Sequence, residues 1–227
     1  MVDHTLKAID KQLDLLDHLI AEMGGIAEKM VIDAMDALAR ADNRLARKVV
    51  AADTRIDALR REIEEEAIVA IACRQPVAVD LRQIVEAIHV AGDLERVGDL
   101  AKSVAKRSIR ISSETRVPLA ITGLMHMNQM AAELVKDVLD AYTQRDAEQA
   151  LAVWKRDVEL DALEDAVFRD LLTHMIEEPR NISFCAHLLF CSKNIERIGD
   201  HATNIAEAVY YLATGSTLAG ERPKGQA

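Results

Sequence analysis

The chain repeats itself, and any fold must accommodate the repeat. The stretch "DLERVGDLAKSVAK" at residues 93–106 returns as "NIERIGDHATNIAE" at 194–207. Glu95, Arg96, Gly98, Asp99, Ala101 and Ala105 recur 101 positions later as Glu196, Arg197, Gly199, Asp200, Ala202 and Ala206. The apolar positions Leu94, Val97 and Val104 return as Ile195, Ile198 and Ile205. Upstream the offset is 104: "DTRIDAL" at 53–59 answers "DVELDAL" at 157–163, and "DALARAD" at 36–42 answers "DAYTQRD" at 140–146. Pro76 and Pro179 fall at matching places between these blocks. A tandem duplication with halves of about a hundred residues accounts for all of this.

Each half reads as three long helices. Half of the residues are hydrophobic, only 3% are aromatic, and Gly and Pro number 9 and 4. That is the composition of a helical bundle. Apolar residues recur at helical spacing, as in Ile84, Val85, Ile88, Ala91 and Leu94, or Leu188, Leu189, Ile195 and Ile198. Asp42 and Asp146 suit N-caps, Pro76 and Pro179 open short loops, and Pro118 suits a first helical turn. The expected helices span 5–40, 43–73, 78–111, 117–144, 147–176 and 182–213, each about 40–50 Å long at ~1.5 Å per residue. Long helices with short loops pack antiparallel. The predicted fold is therefore all-α, a tandem duplication of an antiparallel three-helix bundle. The repeats are assigned to residues 1–113 and 114–213, with a Gly/Pro-rich, disordered tail at 214–227.

Antiparallel geometry then brings acids together. Glu95 and Asp99 lie one helical turn apart, as do Glu196 and Asp200, with an interior glycine between each pair. Like charges at that spacing repel, and a helical glycine costs roughly 1 kcal/mol. Residues equidistant from a hairpin turn lie side by side. Asp53/Asp57 and Glu95/Asp99 centre on 55 and 97, whose mean is Pro76; Asp157/Asp161 and Glu196/Asp200 centre beside Pro179. Four carboxylates at one level are destabilising unless a cation lies among them. Arg96 and Arg197 are too few for eight acids and, one residue past the glutamates, point about 100° away. A hard, oxygen-ligated multivalent ion fits the pattern. The candidate ligands are Glu95, Asp99, Glu196 and Asp200, supported by Asp53, Asp57, Asp157 and Asp161. Asp33 and Asp137 are possible additional ligands, and Gly98 and Gly199 let a neighbouring helix or the ion come close.

Other classes are excluded or ranked below this one. A formal charge of -10 and a pI near 5.2 argue against nucleic acid, which needs a basic face. Cys73, Cys185 and Cys191 form no CxxC and read as buried, reduced thiols of a cytosolic protein. No signal peptide or membrane span is expected. A ferritin-type di-iron oxidase needs two Glu-x-x-His motifs; only Glu86–His89 offers one, and the repeat has His187 and Phe190 there. A metal-dependent phosphohydrolase, or another carboxylate-bridged metalloprotein, is the alternative function, because clustered divalent ions activate water. Against it, the sequence offers no nucleophile–base arrangement and no Gly-rich phosphate loop. The expectation is a protein that is not an enzyme.

The same residues carry a family resemblance. "LERVGDLAKSVA" and "IERIGDHATNIAE", with "RQPVAVDLRQIV" between helices, resemble the paired E(D)-x-x-x-D signatures of the PhoU family over roughly residues 5–213. The resemblance implies two three-helix repeats, often as a homo-oligomer such as a homodimer, with metal at the motifs; iron, zinc, manganese and magnesium are the candidates. It implies a cytoplasmic regulatory adaptor of phosphate homeostasis that couples a phosphate ABC transporter, through its ATPase subunit, to a sensor histidine kinase. Such an adaptor is a negative regulator, holding phosphate-starvation genes off when phosphate is plentiful. Carried over residue by residue, the sites are Glu95 with Asp99 and Glu196 with Asp200. The copies are unequal, since His201 and Asn204 in the second stand where the first has Leu100 and Ser103. The first site thus has fewer possible ligands.

Overall fold

The computed structural model describes residues 2–74, 76–112 and 118–218. Six α-helices run in order: α1 (Val2–Arg40), α2 (Asn43–Arg74), α3 (Ala78–Ile111), α4 (Pro118–Gln144), α5 (Ala147–Glu177) and α6 (Ile182–Thr214). A single 3-10 turn, Pro179–Asn181, joins α5 to α6. Among the described residues there is no strand. The expected tail lies, from residue 219 on, outside the described residues.

The duplication is visible in the turns. Ala41 and Arg145, equivalent at the 104 offset, both take left-handed backbone conformations, with φ of 52° and 54°. Each ends its helix with a 6→1 bond, Asp42 N–H to Ala37 O at 2.9 Å and Asp146 N–H to Ala141 O at 3.0 Å. The aspartates then cap the next helix: Asp42 Oδ1 accepts from the N–H of Arg44 and Leu45, and Asp146 Oδ1 from those of Glu148 and Gln149. The Leu45 and Arg44 N–H bonds hold the Asp42 carboxyl below its ordinary pKa, more than offsetting the small desolvation that opposes them.

The helices pack as two antiparallel sets, α1–α3 and α4–α6, joined by α3 against α6 and α1 against α4. One hydrophobic cluster runs through both halves, from Leu16, Ile56 and Leu94 to Leu134, Leu160 and Ile198. At the junction Asp17 of α1 accepts from Tyr142 Oη of α4 at 2.9 Å, from Arg145 Nη2 of the turn after α4 at 2.8 Å, and from Gln83 Nε2 of α3 at 3.1 Å. Among the described residues no helix is long and apolar enough to cross a membrane. Cys185 and Cys191 are buried, whereas Cys73 is exposed, contrary to the expectation of three buried thiols. Cys73 sits in the last turn of α2, at the hairpin end.

Candidate functional site

Both hairpins place their acids as the symmetry about the prolines requires. In the first repeat Lys102 Nζ reaches Asp53 Oδ2 of α2 at 2.6 Å and Asp99 Oδ1 of α3 at 2.8 Å, so the two acids face each other across one ammonium. Asp53 is buried. Arg60 Nη1 stands 3.6 Å from Glu95 Oε1. Arg96 was expected to point away; instead its guanidinium folds back, 3.4 Å from Glu95 Oε2 and 3.5 Å from Asp99 Oδ2. A long side chain on a neighbouring position spans the ~100° that Cα geometry alone puts between them. Partial burial works against the charge on Lys102, but hydrogen bonds to Asp53 and Asp99 outweigh it and raise its pKa. Asp57 is half-buried one turn beyond Asp53.

The second repeat has the same backbone and a different charge pattern. Asp157 is buried, and Thr203 Oγ1 donates to its Oδ1 at 3.2 Å. Glu196 Oε1 accepts from Lys193 Nζ at 2.9 Å, on the exposed side. Glu196 Oε2 is buried without a hydrogen-bond partner. Burial pushes the Glu196 carboxyl pKa up; the Lys193 bond opposes this, while the charges of Asp200 and Asp161 add to it. The glycines serve the neighbouring helix: a Cβ on Gly199 would collide with Leu160 Cδ2, and one on Gly98 would lie 3.1 Å from Ile56 Cδ1. Leu160 and Ile56 are equivalent residues of α5 and α2.

Several residues play other parts than expected. His201 Nδ1 and Asn204 Nδ2 both bond Asp93 Oδ1 of α3, at 2.8 and 3.1 Å, and so join the repeats across the α3–α6 seam instead of serving the acid face. Asp33 pairs with Lys29 and Asp137 with Arg156. Lys102, Arg60 and Asp93 were missed by the sequence reading. Their signal was present: Lys102 lies i+7 from Glu95 and i+3 from Asp99, on one face, and the other repeat has Thr203 at its position.

Among the described residues no three His, Cys, Asp or Glu side chains already converge as a metal cage. The two repeats respond differently when tested for an ion. The second fits: it has a buried Asp157 and an all-oxygen donor set with Asp161, Asp200 and Glu196, whose Oε2 is buried without a hydrogen bond, as Oε2 of Glu95 is in the first repeat. An ion there would supply the positive charge that lets α5 and α6 carry acids on one face. The first does not fit as it stands, because an ammonium lies between Asp53 and Asp99.

Comparison with known proteins agrees with the duplicated architecture. The PhoU domain is matched twice, over residues 20–108 and 124–209. A Rhizobium meliloti protein named phosphate-specific transport system accessory protein PhoU homolog is 52% identical over 97% of this chain and 93% of its own length. A Caulobacter vibrioides protein of the same name is 46% identical over 99% of this chain and 97% of its own. The crystal structure of PhoU from Pseudomonas aeruginosa superposes with a TM-score of 0.85 at 38% identity, covering 95% of this chain and 100% of that one.

Proposed function

Because this chain belongs to the PhoU family, we propose that it is an accessory regulator of a phosphate-specific transport system. The observation that carries this reading is the 52% identity to a relative of that name across nearly the whole chain. In the finer reading the protein is a cytoplasmic adaptor. It couples a phosphate ABC transporter, through its ATPase subunit, to a sensor histidine kinase, and it keeps phosphate-starvation genes off in high phosphate. An oxygen-ligated ion such as iron, zinc, manganese or magnesium is held by Glu196, Asp200, Asp157 and Asp161. One feature of the fold supports an adaptor that works by contact, in oligomers or with partners. The hairpin ends expose Ile68, Val77 and Val79 in the first repeat and Ile176 and Ile182 in the second. Such apolar surface is what a docking protein presents.

The test is genetic. Deleting the gene should leave a phosphate-starvation reporter on in high phosphate, and the wild-type chain should switch it off again. At matched protein levels, Glu196→Gln/Asp200→Asn should impair repression more than Glu95→Gln/Asp99→Asn. A reporter that stays off after deletion removes the regulatory reading; equal, full repression by both variants removes the acid faces from it.

A further inference from the structure

We infer that Lys102 is a tethered counter-ion standing in for a metal ion in the first repeat, so that this chain loads metal in its second repeat alone. The inference rests on the metal-binding reading above and narrows it to one motif of the two.

The ammonium occupies the place that an ion bridging α2 and α3 would need, 2.6 Å from Asp53 and 2.8 Å from Asp99. Its position follows from the helix: residues 95, 99 and 102 share a face, so Lys102 extends the acid stripe by one turn. Arg60 stands 3.6 Å from Glu95 Oε1 and Arg96 3.4 Å from Oε2, as ion pairs without a hydrogen bond to Oε2. A dication entering this cluster meets fixed positive charge and must expel an amine anchored by two carboxylates, one of them buried. The first repeat thus carries its own neutralisation.

The duplication supplies the control. At the position of Lys102 the second repeat has Thr203, and at that of Arg60 it has Glu164. Lys to Thr and Arg to Glu together shift the local formal charge by three units toward negative. Thr203 is neutral and short, with its hydroxyl 3.2 Å from Asp157 and 3.0 Å from Gly199 O. The second repeat does gain Lys193, where the first has Gly92. Lys193 hydrogen-bonds Glu196 of its own helix at 2.9 Å and is 57% exposed; it acts on Glu164 of α5 and on Asp200 through charge, whereas Lys102 hydrogen-bonds an acid on each of its two helices. The two motifs look alike in one-letter code and differ in what neutralises them.

The experiment uses the full chain, stripped with chelator, titrated with manganese(II) and followed by calorimetry and elemental analysis. Glu196→Gln/Asp200→Asn should weaken binding tenfold or more, and Glu95→Gln/Asp99→Asn should leave it unchanged. In the second-repeat double variant, Lys102→Thr should restore a site, with at least a tenfold gain in affinity. Binding lost through the first pair and kept without the second overturns the inference, as does a Lys102→Thr variant that gains nothing. Thermal unfolding in chelator separates this from the broader reading. There Lys102→Met should lower Tm by about 5–10 °C, and Lys102→Met/Asp53→Asn should recover most of the loss. A wild-type chain that takes up no manganese(II), iron(II) or zinc(II) removes the metal reading, while the Tm series still decides the role of Lys102. An unchanged Tm for Lys102→Met refutes the counter-ion with or without metal.

Discussion

Adding one methyl at Gly199 should distinguish two glycines that the sequence makes equivalent. In Gly199→Ala the new Cβ falls on Leu160 Cδ2, and Leu160 is fully buried. Either Leu160 leaves its rotamer or α5 and α6 separate, a strain of about 1–3 kcal/mol for overpacking. The helix returns about 1 kcal/mol, because alanine replaces an interior glycine. The net is a loss of about 0–2 kcal/mol. In Gly98→Ala the nearest atoms are Ile56 Cδ1 at 3.1 Å and Cγ2 at 3.4 Å, which a few tenths of an ångström relieve. Helix propensity then dominates, and the variant should be neutral or up to about 1 kcal/mol more stable. The two variants should therefore differ by about 0–3 kcal/mol, centred on ~1.5 kcal/mol, or roughly 3–6 °C in Tm for a chain of this size. Calorimetry and urea unfolding in chelator measure the gap. Truncating Leu160→Ala should abolish the penalty of Gly199→Ala in a double-mutant cycle. A Gly199→Ala protein at least as stable as Gly98→Ala refutes the assignment of this glycine to helix approach.

Three further outcomes follow from the same structure. Glu196 binds its proton more tightly folded than unfolded, so its contribution is present below the ordinary carboxyl value of 4.5 and lost as pH rises above it. Glu196→Gln should flatten the fall in metal-free stability above that pH and raise Tm at pH 7; a lower Tm contradicts the burial argument. Ala41→Gly relieves a left-handed alanine and should stabilise the chain by about 0.5–1 kcal/mol in urea unfolding. Under native conditions a maleimide should label Cys73 alone, because Cys185 and Cys191 are buried and burial lifts the Cys191 thiol to about 12; prompt labelling of three thiols refutes that packing.

Periodicity and punctuation determine most of the architecture. The helix ends came from Asp42 and Asp146, which cap, and from Pro76 and Pro179, which interrupt; these are local effects and need no tertiary knowledge. The facing acids followed from symmetry about the prolines, and Lys102 bridging Asp53 to Asp99 shows that register in the first repeat. What sequence did not reveal depends on neighbours. Asn204 is i+4 from Asp200 and so read as a possible ligand, yet α3 approaches that side of α6 and Asp93 takes its amide. The direction of the Arg96 Cβ does not place its charge, because three flexible bonds lie between that atom and the guanidinium. Lys102 carries no signal in a pattern of residues shared by both copies, because the second copy has Thr203 in its place.

The single core has an energetic consequence for signalling. Because one hydrophobic cluster runs through both halves, α1 and α2 do not open independently of α5 and α6 except by exposing apolar surface common to both. Whatever stabilises the second acid face therefore raises the free energy of every opening that disrupts the shared core. Amide hydrogens of Ile20, Ile63 and their neighbours, on helices that carry none of the second-repeat acids, should exchange more slowly when that face is occupied. The two copies of the ancestral bundle no longer carry the same charges, but with one core they should melt as one, and a ligand held by one copy should register in the exchange rates of the other.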